Sequence, residues 1–299
     1  MMTLPGDNRS LVRLLTAGAI CIAPAVCIAQ TALEFTASAD ATLYESTANL
    51  PLANGAGEYA FVGKTSVGSA RRTLLRFDVS AIPVGSRVVT VQLQVDINQA
   101  ANAAPLPATL HRVTQAWCEG PTIPSGAQGG GATAQPGDTT WHASCLGTAT
   151  WSTPGGDFEA TVLTSALVGG PAKVTWPTSP AFESVVQAWV DAPASNQGVL
   201  LRGDESASGT AKRLLSRETS GEGKRPRLIV TFTRPTFCDG IDFNNNGVFP
   251  EDQDVIDFLN VLSGAECSTC GDIDFNNNGV FPEDEDVIDF FTVLAGGSC

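Results

Sequence analysis

The final 62 residues contain one unit written twice, and that repeat confines what this end of the chain can fold into. Copy one runs from Cys238 through Asp242-Phe243-Asn244-Asn245-Asn246-Gly247-Val248-Phe249-Pro250 to Cys267. Copy two runs from Cys270 through Asp274-Phe275-Asn276-Asn277-Asn278-Gly279-Val280-Phe281-Pro282 to Cys299, offset by 32 residues throughout. Side-chain oxygens at alternate positions, followed by glycine, are what a hard cation takes from a short loop. With Asp242 at loop position one, Asn244 and Asn246 fall at three and five, and the Val248 carbonyl at seven. Asp274, Asn276, Asn278 and Val280 repeat the set. The twelfth position, normally a bidentate acid, is Gln253 in one copy and Glu285 in the other, whereas Asp254 and Asp286 stand one residue later in both. The expectation is a loop lengthened by one residue around Phe249-Pro250, closed by Asp254 and Asp286, with calcium as the ion. Two clear carboxylates per loop predict a dissociation constant on the order of 10⁻⁴–10⁻³ M. Behind the loops, Val255, Phe258, Leu259 and Leu262, then Val287, Phe290, Phe291 and Leu294, have amphipathic helical spacing.

Charge follows the same division. The net charge is −14, and from Cys238 onward there are 14 acidic residues and no Lys or Arg. Residues 30–237 hold 16 acidic and 15 basic residues, so the excess acid belongs to the tail. Acids at repeating spacing among Phe, Val, Ile and Leu point to a folded, cation-neutralised module rather than a solvated acidic end. No basic excess exists to serve a nucleic acid.

Residues 1–29 read as a secretory signal: Arg9 and Arg13, an apolar stretch from Leu14 to Val26, and small residues before Gln30. Pro24 breaks that stretch, and no other segment is long and apolar enough to span a bilayer. The expected location is outside the cell, in secreted or surface-anchored form. Six cysteines then remain, and an even number outside the cytosol reads as disulfides. The repeat suggests Cys238–Cys267, Cys270–Cys299 and Cys118–Cys145. Cys267-Ser268-Thr269-Cys270 is also a spacing for a redox pair or half of a four-thiolate zinc site.

Residues 30–232 are rich in Val, Thr, Gly and Pro. Val89, Val91, Leu93, Val95 and Ile97 alternate with polar residues, as a half-buried strand requires. Leu228–Phe232 repeats the pattern, and further strands are expected at 59–64, 72–78, 108–113, 160–164, 198–203 and 213–218. Many short strands with Gly/Pro turns predict a mainly β fold, a two-sheet β-sandwich of jelly-roll type. Phe182, Val185, Val186 and Trp189 mark one helical turn against the core, and Gly126–Gly137 reads as a loop tied by Cys118–Cys145.

An ordered series of motifs carries a resemblance. Ala39-Asp40-Ala41-Thr42-Leu43-Tyr44 opens it, followed by Val62-Gly63-Lys64, Arg72-Thr73-Leu74-Leu75-Arg76-Phe77-Asp78, Gln115-Ala116-Trp117 and Asp138-Thr139-Thr140-Trp141. Val186-Gln187-Ala188-Trp189, Ser216-Arg217-Glu218 and Arg225-Pro226-Arg227-Leu228 close it. Over most of residues 33–232 the chain resembles the DNRLRE-type domain, also classed as carbohydrate-binding module family 96. That resemblance implies a β-sandwich that binds polysaccharide, with acidic polymers as one class. The tail, residues 238–299 after a 233–237 linker, resembles a cysteine-flanked dockerin, a small α-helical module built on EF-hand-like loops. This implies docking onto a cohesin-like or other surface-anchoring protein. Loop positions ten and eleven, which touch the partner in that family, are Glu251-Asp252 and Glu283-Asp284 here, where small hydroxyls are more usual.

A polyuronate would be held by cations and aromatic faces. The candidates are Arg71, Arg72, Arg76, Lys212, Arg213, Arg217 and Trp141. Alternation places Arg72, Leu74 and Arg76 opposite Leu75 and Phe77. Pairing of these arginines with Asp78, Glu218 or Asp204 would instead complete the fold, and tryptophans are more often core than platform. For an enzyme the sequence offers little: His111 and His142 are the only histidines, and there is no nucleophile elbow, zinc-protease motif or phosphate loop. Glu119, Asp138, Asp157 and Glu159 remain as carboxylates for glycoside hydrolysis. The expectation is an exported, non-catalytic carbohydrate-binding protein tethered through a calcium-dependent tail. The alternatives are a structural or adhesive surface protein and a component of polysaccharide breakdown.

Overall fold

A computed structural model of the protein describes residues 12–15, 30–234, 238–277 and 281–297. Most of the expected leader, the linker residues 235–237, Asn278 and Val280 of the second loop, and Cys299 lie outside the described residues. The chain divides into two compact units, Met1–Ile82 with Val88–Phe232 and Pro83–Arg87 with Thr233–Cys299. No helix among the described residues is long and apolar enough to cross a membrane.

The first unit is mainly β. Its elements are β1 (Val12–Leu15), β2 (Gln30–Tyr44), β3 (Leu52–Ala53), β4 (Tyr59–Lys64), β5 (Ala70–Phe77), β6 (Arg87–Ala100), β7 (Leu106–Arg112), β8 (Ala132–Thr133), β9 (Thr164–Val168), β10 (Ala172–Trp176), α1 (Pro180–Asp191), β11 (Val199–Arg202), β12 (Lys212–Leu215) and β13 (Arg227–Thr233). One large antiparallel sheet runs β1-β2-β13-β6-β12-β4-β5-β11-β7-β9, with β10 on β6. The second half of β2 also pairs with β5, Ala41 opposite Leu74, so the path returns on itself. The short strand β1 lies within the expected leader and pairs with Ala32–Phe35 of β2. The strand expected at 160–164 instead begins at Thr164, and β2, β3, β8 and β10 lie outside the expected strands, although Leu33 to Leu43 of β2 alternate with polar residues.

Two cores lie on opposite faces of β5. Leu75 and Phe77 join Val91, Leu93, Val95, Ile97, Leu110, Val199, Leu201, Val230 and Phe232 in the main core. Val88 rather than Val89 points inward. The three-residue step from Val88 to Val91 breaks the two-residue alternation, which runs strictly from Val91 to Ile97. Helix α1 seals this core with Phe182, Val185, Val186, Trp189 and Val190. Ser179 caps it by accepting from the Phe182 amide at 3.1 Å, and Pro180 stands where no amide partner is needed. On the other face, Leu74, Leu43 and Leu200 pack with Trp117, Trp141 and Trp151 from the long segment 114–158. Cys118 and Cys145 are bridged and close that segment.

In the second unit, α2 (Asp252–Leu262) and α3 (Asp284–Leu294) follow the two loops. Phe243, Phe258, Phe275 and Phe290 form its buried centre. Phe258 and Phe290, equivalent residues of the two copies, stack with centroids 4.1 Å apart and planes 2° from parallel. Phe243 meets Phe258 edge-on at 5.2 Å, and Phe275 meets Phe290 at 5.2 Å. The amides of Asp239 and Gly271 donate to the carbonyls of Phe275 and Phe243, each at 2.8 Å. The sequence repeat is thus a near-twofold structural repeat.

Candidate binding sites

Alternation on β5 does set Arg72, Leu74 and Arg76 on the face away from the main core, but that face is roofed by segment 114–158. The three tryptophans are consequently core residues. Trp117 donates its indole N–H to the Gln197 carbonyl and Trp151 to that of Thr140. Trp141 is 8% exposed, with the Arg72 guanidinium 4.8 Å from its ring centroid. Arg76 lies over Trp117 at 5.0 Å.

The basic residues separate by environment. Arg72 makes a two-pronged pair with Glu205 (Nε–Oε1 2.8 Å, Nη2–Oε2 3.0 Å) and donates Nη1 to the Gly155 carbonyl. Arg71 is buried over Tyr44 and donates to the carbonyls of Ala70 and Gly129, pinning the Gly-rich loop. Burial pushes its pKa down, and burial pushes the Tyr44 phenol up to about 12. Lys212 is buried, its ammonium on the carbonyls of Asn102 (2.6 Å) and Ala104 (3.1 Å). Arg217 clasps Glu119 (2.6 Å) and Glu218 (2.9 Å). Arg213 stacks on Tyr59 at 4.0 Å and donates to Asn98. Of the candidate cations, Arg71, Lys212 and Arg217 are therefore engaged inside the fold and away from Arg72.

Arg72 and Trp141 share a cavity of about 470 Å³ with Lys64, Thr109, Arg202 and Glu205. Arg202 is opposite both Arg72 and Thr109 in neighbouring strands, and Glu205 receives both arginines. Burial pushes the Glu205 carboxyl up, but hydrogen bonds and charge from Arg72 and Arg202 outweigh it and hold it below the usual range. Arg202 carries no sequence motif of its own, and Lys64, although part of Val62-Gly63-Lys64, joins this cavity only through strand register between distant segments. Of the expected carbohydrate set, only Arg72 and Trp141 line this cavity.

The carboxylates offered for hydrolysis hold turns and ion pairs. Asp138 is buried and accepts from the amides of Thr122 and Gln135. Asp157 accepts from Ser152 and Thr153, and Glu159 pairs with Arg112. His111 is buried between Thr109 and the Glu159 carbonyl, and burial pushes its pKa down. Asp40, Glu119 and Glu218 bring ligand oxygens within 4.8 Å of one another, with the Arg217 guanidinium in their midst.

In the first tail loop, Asp242 accepts from the amides of Asn246 (3.0 Å) and Gly247 (2.9 Å), and Asn246 accepts from Val248 (2.7 Å). Asn245 and Gly247 have φ of 56° and 82°, the reversals that wrap such a loop. Asp254 is fully buried, facing the Asn244 amide, while Gln253 is exposed and donates to Asp257. In the second loop Asn276 and Asp286 are buried, and among the described residues no hydrogen-bond donor within bonding distance meets Asp286 Oδ1. A buried carboxylate oxygen without a donor, in an all-oxygen set, suits a hard cation. Glu251 and Glu283 cap α2 and α3, leaving Asp252 and Asp284 exposed at the helix starts. Phe249 and Phe281, each 60% exposed, stand at equivalent places nearby.

The tail bridges differ from the expected pairing. Cys267 is joined to Cys270, not to Cys238. Pairing by repeat copy fails because the junction brings the end of copy one beside the start of copy two. Cys238 is disulfide-bonded as well. Comparison with protein-family models and with curated proteins gives no match for this chain.

Proposed function

We propose that the chain is an exported, non-catalytic glycan-binding protein, fixed to a surface or assembly by a calcium-dependent docking tail. The first unit is read as a two-layer sandwich of the carbohydrate-binding type, and the second as a dockerin-like pair of calcium loops. The observation that carries the glycan reading is the cavity that Arg72, Arg202 and Lys64 line together with Trp141. Arg202 and Lys64 are the ligand-facing cations, because each of the three Arg72 guanidinium nitrogens already donates within the fold. They would address a carboxylated polymer, with Thr109 and Glu205 serving sugar hydroxyls. The test is affinity electrophoresis of the full chain on neutral and acidic polysaccharides. Retardation on a uronate polymer, reduced about tenfold in affinity by Arg202→Ala, is the expected result.

The internal pairing of Arg71, Arg72, Lys212 and Arg217 favours a second reading, a structural surface protein whose sandwich only spaces the tail. No retardation on any polymer would select it. In the tail, Asp242, Asn244, Asn246, the Val248 carbonyl and Asp254 would hold the first calcium ion. Asp274, Asn276, Asn278, the Val280 carbonyl and Asp286 would hold the second. Equivalent exposed pairs, Phe249 with Phe281 and Asp252 with Asp284, give a partner the same surface twice.

A further inference from the structure

The disulfide between Cys267 and Cys270 spans only three residues in sequence and sits at the junction of the two copies. Cys267 is exposed, while Cys270 is half-buried and packs on the phenylalanine centre. Closing so short a loop removes little entropy from the unfolded chain, so this bridge does less for stability than Cys118–Cys145, whose residues are 27 apart. Exposed bridges are also the ones that external thiols reach. Position and access therefore mark Cys267–Cys270 as a reactive disulfide rather than a structural one.

The turn it closes holds the first loop at two points. The Asn245 side-chain amide donates to the Thr269 carbonyl at 2.7 Å. The Gly271 amide donates to the Phe243 carbonyl at 2.8 Å. Asn245 is the left-handed residue between Asn244 and Asn246, so the grip falls on the backbone that aims both side chains. The related grip in the other copy, Asn277 to the Asp239 side chain at 2.9 Å, does not involve the Cys267–Cys270 turn.

We infer that Cys267–Cys270 is a thiol–disulfide exchange site for dithiol reductants, and that its redox state sets how firmly the first loop holds a cation. One reductant sulfur, as thiolate, attacks the exposed Cys267 Sγ. The S–S bond breaks, and Cys270 leaves as a thiolate and is protonated. The second reductant thiol then displaces Cys267 from the mixed disulfide, its departing sulfur 3.7 Å from the Thr269 hydroxyl. Two electrons pass to the protein, the dithiol leaves as a disulfide, and the two hydrogens of the dithiol end on the two cysteines. With the turn opened, Thr269 no longer holds Asn245, and ordering that backbone falls to the ion and to the loop's own hydrogen bonds. The effect on the cation rests on the calcium reading given above; the exchange chemistry does not.

The experiment titrates the full chain with a dithiol reductant, traps thiols by alkylation and locates them by peptide mass spectrometry. Calcium alone is then titrated into oxidised and selectively reduced protein, following the Gly247 amide resonance. The expected result is that Cys267 and Cys270 are alkylated first, and that calcium binds the reduced form at least about fivefold more weakly. Cys267→Ser with Cys270→Ser should reproduce the reduced behaviour. Asn245→Gly keeps the left-handed backbone but removes the grip, and should bind equally weakly in both redox states. Reduction together with or after Cys118–Cys145 overturns the proposal, as does selective reduction with unchanged affinity. If calcium binds neither form, the calcium reading fails separately. The Asn245 side-chain amide resonance then decides: a shift on selective reduction supports the proposal, and an unchanged resonance overturns it.

Discussion

The backbone amide of Asp40 donates to Glu119 Oε1 at 2.8 Å, placing a buried carboxylate of β2 against another from the covering segment. Glu218, which follows β12, completes the group, and among the described residues Arg217 is the cation that pairs with it. Burial first, then the charge of Glu218, pushes the Asp40 carboxyl well up. Burial pushes Glu218 to about 7, helped by Glu119 and opposed by Arg217. A carboxyl raised on folding gives stability that is full below its unfolded pKa and is lost as pH rises through the folded one. The first unit is therefore expected to lose stability between about pH 4.5 and 7 through Glu218. Against wild type, Glu218→Gln should gain on the order of 2 kcal/mol across that window. Paired thermal melts at pH 4.5 and 7.5 check it; a pH-independent offset would show that Glu218 ionises normally in the fold.

Glu205 is the shared anion of Arg72 and Arg202 and is mostly buried. Glu205→Ala leaves the Arg72 guanidinium over Trp141 without its counter-charge. The expected loss is on the order of 3 kcal/mol, because breaking one side of a buried pair strands the other. Adding Arg72→Met should recover part of it, since the stem would still cover the tryptophan. A double-mutant cycle by urea unfolding measures the coupling, and a coupling near zero would make the pair a surface ornament.

The tail has one aromatic centre for both copies, so its two halves should stand or fall together. Phe290→Ala removes the ring stacked on Phe258 and should cost about 3–5 kcal/mol. That is enough to unfold a unit this small. Calorimetry is expected to show the tail transition gone and that of the first unit kept. Phe291→Ala removes a ring that is 40% exposed and meets Phe290 edge-on at 5.5 Å, and should cost less, about 0.5–1.5 kcal/mol.

What was legible in the sequence were the features with local periodicity. Leu93, Val95 and Ile97 announce β6 by alternation, Phe182 to Trp189 announce α1 by spacing, and the 32-residue offset announces the twin loops. What depends on distant pairing was not legible. In β2 the residues Leu33, Phe35, Ala37, Ala39, Ala41 and Leu43 alternate with polar ones, but Asp40 and Thr42 are buried too, and that second covered face depends on distant segments. The Arg72–Arg202 register requires two strands far apart in sequence to meet. Trp117, Trp141 and Trp151 belong to a second core that exists only once segment 114–158 has folded over β5. The Cys267–Cys270 bridge was misread because the repeat suggested pairing within each copy, whereas the fold sets the junction cysteines side by side.

The residue that closes the first tail loop can be separated from its neighbour. Asp254 is buried against the loop and Gln253 faces solvent, although Gln253 holds the position a standard twelve-residue loop would use. Asp254 also accepts from the Glu251 amide, so part of its role is to cap α2. Asp254→Asn keeps the size and an acceptor while removing the charge. Calcium titration of the full chain should show affinity at this loop falling about tenfold, since charge count sets the strength of such sites. Gln253→Ala should leave it unchanged. The reverse order would restore the standard loop length and move the closing ligand back to Gln253. An equal small loss in both would mean that Asp254 serves the helix start and not the ion, and a helix-melting signal in the metal-free protein would then accompany it.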